Sequence, residues 1–474
     1  MAKIVRFQDA LPLAIEFIEA HYAHLGQEPP IVIRDLYGKI RLFLSSEQTS
    51  LQQDLAESLT VLLGKFAYPA EAIFLYKQDF FNSESITNSP DKILIPNSGQ
   101  AIYLLDKQIT GQDWLRKPIP RSTSQLERAT SHRPERATSH RPERAASHRP
   151  ERVTFQDRCP PIPRNSSQPK RATLFGIKGG VGRSSALAIW AWFLAEQGKK
   201  VLVVDLDLES PGIGRILLPQ GSLPDFGVVD WLVEEAVGQA DAELLREMVA
   251  TSPLAENCEG VIRVVTAAGG KEQDYIAKLS RIYMSINQNG ENLDFAHRLA
   301  LLLEQLEAQE TPDIVLLDSR AGIHDIAAIA ITRLTDMAFL FAVNTPQTWQ
   351  AYRYLFAHWQ KWDVNLGQFR ENLKIVAGMV PELGRADYLS RCRESAYNLF
   401  LETIYEETAA EDFDTFSFAL DDSSAPHYPV EILWNMTFQE FNPQAADYFK
   451  INGAQLTACY GNFLQTATQL VLGE

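Results

Sequence analysis

Residues 172–185 read ATLFGIKGGVGRSS, and this stretch decides the fold. A short apolar run, Ala172 to Ile177, leads directly into Lys178-Gly179-Gly180-Val181-Gly182-Arg183-Ser184-Ser185. The run SSALAIWAWFLAEQG then opens a helix. Glycines let successive backbone N–H groups turn inward and cradle phosphate, and the helix start adds partial positive charge. As a bare string the loop says little; between a strand and a helix it is a phosphate site rather than a plain turn. Such loops normally end in Gly-Lys-Ser/Thr. Here Arg183 stands at the lysine position, with a charged planar fork that is bulkier and less mobile than lysine. Ser184 stands where a Mg²⁺-binding hydroxyl belongs.

Downstream the pattern repeats. KVLVVDLD, VIRVVTAA, DIVLLDS, AFLFAVN and KIVAGMV are further short apolar runs. Helical stretches separate most of them: VVDWLVEEAV, FAHRLALLLEQLEAQ, TWQAYRYLFAHWQKW and the segment after Arg385. Apolar strands alternating with helices predict an α/β fold, a parallel sheet covered by helices on both faces. Ligands of such sheets bind beyond the carboxyl ends of the strands. Acids fall there: Asp205 and Asp207 end one strand in VLVVDLDLESPG, and Asp318 ends another. Carboxylates at these positions can hold Mg²⁺ through water, and one can orient an attacking water. Singly they read as turn residues; three in order after a phosphate loop do not. Ser319-Arg320-Ala321-Gly322 reads as a γ-phosphate-sensing switch.

KGGVGRSS, VLVVDLDLESPG and PDIVLLDSRAG resemble the deviant Walker A ATPases of the ParA and MinD class, in motif, order and spacing over most of residues 172–400. The arginine, with FGVVDWLVEEAVGQAD and DSRAGIHDIAAIA, resembles a KGGVGR-motif variant subgroup. The resemblance implies a P-loop NTPase domain that binds ATP and Mg²⁺, dimerises around the nucleotide and hydrolyses it slowly or under a partner's stimulation. By position, Lys178 matches the lysine that reaches a partner subunit's nucleotide. Asp207 matches the acid that orients the hydrolytic water. Ser184 matches the direct magnesium ligand, and Asp205 and Asp318 the acids near the metal. Lys178, Arg183 and Asp207 are thus the expected catalytic residues, and 178–185 the cofactor cradle. No N-K-x-D or T-K-x-D guanine-reading motif follows the later strands, which favours ATP over GTP.

The chain has 474 residues, room for two to three domains at about 150 residues each. No run of about 18 apolar residues predicts a membrane span, and Asp9 and Glu16 spoil the start as a secretory signal, so a cytoplasmic protein is expected. The four cysteines are far apart, which argues against disulfide, zinc-ribbon and redox motifs. The net charge of −16 is uneven. Residues 116–171 carry a net +9, and residues 401–474 a net −11. The basic part holds an eight-residue repeat, ERATSHRP at 127–134 and 135–142, then ERAASHRP at 143–150. Each unit has one proline and no large apolar residue, so 116–171 reads as a disordered linker. It either contacts nucleic acid electrostatically or merely connects, and connection is the simpler reading.

The linker would separate a small α+β domain, 1–115, from the ATPase domain, 172–474. In the first, Phe7 to His24 has helical spacing, PIVIRD and KIRLFLS form a hairpin through LYG, and LQQDLAESLTVLLGKF is an amphipathic helix. AIFLYK and AIYLLDKQ add strands. Asp35, Lys39 and Arg41 near the hairpin read as ordinary surface charges. A role in recognising a protein partner or signal suits this domain. In the second, the terminal QLTACYGNFLQTATQLVLGE has no base, unlike a membrane-binding amphipathic helix, so it should pack onto the domain. Scattered tyrosines speak against an autokinase tail. Asn344 is either near a purine or, with Thr345, a helix cap. His324 is a helix-entry residue or a partner contact. Trp190, Trp192, Trp349, Trp359 and Trp362 read as packing or interface.

Overall fold

The computed structural model describes residues 5–106 and 168–473, apart from residues 6, 36–38, 47–49, 80–83, 90, 96–97, 237, 239, 271–274, 284, 289–290, 363–365, 407–414, 440 and 446–447. The repeats and nearly all of the linker lie outside the described residues.

The first unit contains a five-stranded mixed sheet. Its strands are β1 (Ile31–Arg34), β2 (Ile40–Leu44), β3 (Phe74–Tyr76), β4 (Ile93–Leu94) and β5 (Tyr103–Asp106), in the order β3-β2-β1-β5-β4. β1 and β2 form the expected antiparallel pair, with Ile31 opposite Phe43. The LYG turn lies outside the described residues. Helices Phe7–Leu25 and Ser50–Leu63 bury Leu11, Ala14, Ile18, Leu55 and Leu59 against Val32, Leu42 and Leu104. AIFLYK is only half strand: Ala70–Ile73 is a helical turn, entered after Pro69, and extension begins at Phe74. Asp35, Lys39 and Arg41 gather around Tyr68. Its hydroxyl donates to Asp35 Oδ2 at 2.5 Å, and the Arg41 guanidinium lies 4.4 Å from its ring centre.

The second unit is built on eight strands: β6 (Lys170–Gly176), β7 (Lys200–Asp205), β8 (Val249–Thr251), β9 (Val261–Val265), β12 (Ile314–Asp318), β13 (Met337–Ala342), β14 (Leu373–Val380) and β15 (Val430–Leu433). A separate hairpin pairs β10 (Ile286–Gln288) with β11 (Glu291–Leu293). The sheet runs β15-β14-β13-β6-β12-β7-β9-β8, parallel throughout except for β8. Successive residues feed opposite faces, and both are buried. Val201 and Val203 of β7, with Ile314 and Leu316 of β12, join one core. Leu202, Val204, Val315 and Leu317 join another. This explains the near-continuous apolar strands.

β6 begins at Lys170, two residues before the expected strand. Arg171 is buried there, its guanidinium on Glu307 at 2.5 and 2.9 Å and its N–H on Asp336 at 2.9 Å. Helix Arg183–Glu196 covers one face and carries Trp190 fully inside, edge-on to Phe339 and Phe463. Trp192 stacks on Phe449. The C-terminal stretch is helix Gly453–Leu472; Phe463, Leu464 and Ala467 are buried in the same core, and Trp190 Nε1 donates to Thr468 Oγ1 at 3.0 Å. Trp349 and Trp359 are core residues of the other face; the side chain of Trp362 is outside the described set. Among the described residues no helix is long and apolar enough to cross a membrane.

Candidate nucleotide site

From β6 the chain passes to β7, two places away, runs on to the edge strands β8 and β9, returns to β12 between β6 and β7, and then crosses to β13 on the other side of β6. Such a reversal leaves a crevice at the carboxyl end of the central strand. Residues 177–182 occupy it, between β6 and helix Arg183–Glu196. Gly180 and Gly182 have φ of 73° and 85°, a left-handed conformation that disfavours side chains. A Cβ on Gly179, Gly180 or Gly182 would meet nothing within 4 Å, so the loop opens onto free space. Its root is tight instead: a Cβ on Gly176 would meet the Arg183 side chain, Lys178 O and Val181 Cγ2, each at 3.0 Å. Lys178 is exposed, and Ser185 lies half-buried in the first helical turn.

Parallel pairing sets the acids. Asp318 of β12 lies directly opposite Asp205 of β7, one strand spacing away, about 4.8 Å. Both are almost fully buried. Ser184 Oγ donates to Asp318 Oδ2 at 2.9 Å, bringing the hydroxyl to this pair. Asp205 accepts from the N–H groups of Asp207, at 3.1 Å, and Gly212, at 3.3 Å. Asp207 sits past the strand end, half-buried, where the turn brings it back beside the pair.

Burial, then the Asp318 charge, pushes the Asp205 carboxyl well above the usual carboxylate range. Burial lifts Asp318 to about 6, with Arg183 and the Ser184 hydroxyl opposing the rise. Asp207 is also raised by burial, against the pull of Arg183 and Arg320. Oδ1 of Asp318 and Oδ1 of Asp207 are buried without a hydrogen-bond partner. Hard oxygen donors and uncompensated negative charge fit Mg²⁺. Among the described residues, no cluster of three or more His, Cys, Asp or Glu side chains could hold a metal alone.

Arg183 departs from the fork-to-phosphate expectation. It is buried, and Nη1 donates to the Ser319 carbonyl at 2.6 Å, so it ties the phosphate loop to the segment after β12. Gly322 N–H returns the tie, donating to Gly176 O at 3.0 Å. Glu209 adds a contact that the sequence reading missed. Arg320 Nη1 lies 2.7 Å from Oε2, His324 Nε2 lies 3.5 Å from Oε1, and the Tyr283 hydroxyl donates to Oε1. Burial alone would raise Glu209, but these partners outweigh it and lower its pKa. His324 also caps helix Asp325–Ile329, as a helix-entry residue should. Asn344 is taken up by the Trp349 indole, whose N–H donates to Oδ1 at 2.7 Å; the cap there is Thr345, which accepts from Thr348 N–H.

The family model described as cellulose biosynthesis protein BcsQ matches residues 170–211, spanning β6, the loop, its helix and the first strand-end acids. Solved structures similar to this chain include a ParA family ATPase from Chlorobium tepidum TLS, 16% identical, covering 62% of this chain and 98% of its own, with a TM-score of 0.40. The cell division ATPase MinD of Pyrococcus furiosus is 16% identical, covering 64% and 99%, with a TM-score of 0.39. MinD of Aquifex aeolicus is 13% identical, covering 64% and 97%, with a TM-score of 0.40. No curated protein matches the chain.

Proposed function

We propose that the chain is an ATP-dependent switch: it binds Mg·ATP at residues 178–185, pairs with a second copy around the nucleotide, and hydrolyses ATP to ADP and phosphate. The observation that carries this is the buried pair Asp205 and Asp318, in register beside Ser184 at the root of an open glycine loop. Two carboxylates in a dry site cannot both be charged without a cation, and phosphates held by the loop would bring one. Ser184 would hold Mg²⁺ directly, with Asp205 and Asp318 acting through water. Bound there, the metal would neutralise phosphate charge. Backbone N–H groups of the loop hold the phosphates, and Asp207, with its unpaired Oδ1, orients the attacking water. Lys178 meets a partner copy's nucleotide, a reading that its exposure supports. The protein works in the cytoplasm, with units divided as 1–115, 116–171 and 172–474; the first recognises a protein partner or signal, and nucleic acid is met only through the basic linker.

The test is phosphate release from Mg·ATP by the full chain, with Asp207→Ala as control. Turnover should fall about 10²-fold or more in the variant while ATP still binds. A second reading, ATP held with negligible turnover, is favoured by one observation: Arg183 is committed to the Ser319 carbonyl. Bound ATP with no release, with or without Asp207, would establish that reading.

A further inference from the structure

Two arginines act on Asp207, and they differ in freedom. Arg183 is buried and spent on the Ser319 carbonyl. Arg320 is one-third exposed, acts on Asp207 through its charge, and among the described residues is held by the Glu209 carboxylate alone. Glu209 follows β7 and Arg320 follows β12, so their ion pair joins the two loops that flank the acids. Glu209 has other partners, Tyr283 and His324, that would remain if Arg320 left. The Arg320 segment is anchored on both sides, by Asp318 in the sheet and by Gly322 on Gly176. Gly322 has a φ of 87°, a turn beside the arginine.

We infer that Arg320 is a cation held in reserve for the γ-phosphate, and that Glu209 is the latch that keeps it until nucleotide arrives. The inference rests on the nucleotide reading above and deepens it, naming a residue of the same chain that senses the third phosphate. A guanidinium exchanges one carboxylate for a more highly charged phosphate and can contact it through two N–H groups. During hydrolysis the water oxygen bonds to the γ-phosphorus as the bond to the β–γ bridging oxygen breaks. The bridging oxygen leaves with the electron pair on ADP, and the water's proton ends on the released phosphate. Arg320 stabilises the charge on the transferred group, in cis and independently of protein concentration.

The test compares Mg·ADP with a Mg-bound non-hydrolysable ATP analogue by calorimetry, using the full chain, and adds phosphate release. Arg320→Ala should leave ADP affinity within about twofold but reduce the preference for the analogue about tenfold. Phosphate release should fall about 10²-fold or more. Glu209→Gln should raise the preference about threefold or more, and the gain should vanish in the double variant. If Arg320→Ala also loses ADP binding, Arg320→Lys, which keeps the charge without the fork, carries the comparison and should show a partial loss of preference. The inference is overturned if the preference survives loss of the guanidinium, or if Glu209→Gln lowers it as Arg320→Ala does. A wild-type chain that binds neither nucleotide removes the nucleotide reading itself; one that binds both equally removes only the reserve cation.

Discussion

Both sheets end a pair of neighbouring parallel strands with charged residues in register, and the two pairs are opposites. In the first unit Arg34 of β1 faces Asp106 of β5. Arg34 Nε donates to Asp106 Oδ1 at 2.8 Å, and a second guanidinium N–H reaches Oδ2. In the second unit Asp205 of β7 faces Asp318 of β12. The first pair neutralises itself, so it is complete as scaffold. The second combines burial, like charge and one unpaired oxygen, Asp318 Oδ1, an arrangement that is unfavourable until a cation joins it. The place where a structure leaves its own electrostatics unfinished is where to look for its ligand.

The largest effect should come from breaking the complete pair. Arg34→Leu leaves Asp106 buried beside an apolar side chain, and should destabilise the first unit by about 3–5 kcal/mol in urea unfolding. A loss below about 1 kcal/mol would show that water reaches Asp106, and the contrast between the pairs would fail. Asp318→Asn should act in the opposite direction. Without nucleotide it relieves the like-charge pair and should stabilise the second unit by about 1–3 kcal/mol. With Mg²⁺ and nucleotide present, the variant should lose most of the ligand-induced rise in melting temperature. Destabilisation of the nucleotide-free variant would mean that the carboxylate is already compensated.

The smallest effect is a pH dependence. A carboxyl whose folded pKa is raised binds its proton more tightly when folded. Its contribution to stability is fully present below the unfolded value of 3.8 and is lost as pH rises through about 6. Between pH 5 and pH 7 the nucleotide-free wild type should therefore lose about 1 kcal/mol more than Asp318→Asn. Parallel pH profiles for the two proteins would remove Asp318 as the titrating group.

Much of the second unit was legible in the sequence, because buried parallel strands must be apolar along their whole length. ATLFGI, KVLVVDLD and DIVLLDS show this directly, and their ends gave the loop, Asp205, Asp207 and Asp318. The missed strands, β8 and β15, are edge strands of three and four residues, too short for a periodicity to emerge. The hairpin Ile286–Gln288 with Glu291–Leu293 is polar at four of its six strand positions and carries no such signal. Arg183 was placed by motif at the phosphates, but its direction depends on Ser319, 136 residues away, and no local pattern encodes that. Glu209, in LESPG, was not singled out by the sequence reading. The signal that could have found it is opposite charge on the two loops leaving adjacent strands, Glu209 after β7 and Arg320 after β12. In the first unit the hairpin was readable and the mixed order of the sheet was not, since parallel partners β1 and β5 are set by contacts far apart in sequence.

Helix Gly453–Leu472 closes over the helix that follows the phosphate loop, and Trp190 reaches Thr468 across 278 residues. A ribosome that has placed Trp190 must add all of them before its partner exists, which at ~5–20 residues per second takes roughly 14–56 s. For that interval the indole lacks its Thr468 partner, and Phe339, once made, lacks the Phe463 ring that packs on it. The order of synthesis therefore leaves the docking of this helix among the last packing steps open to the chain.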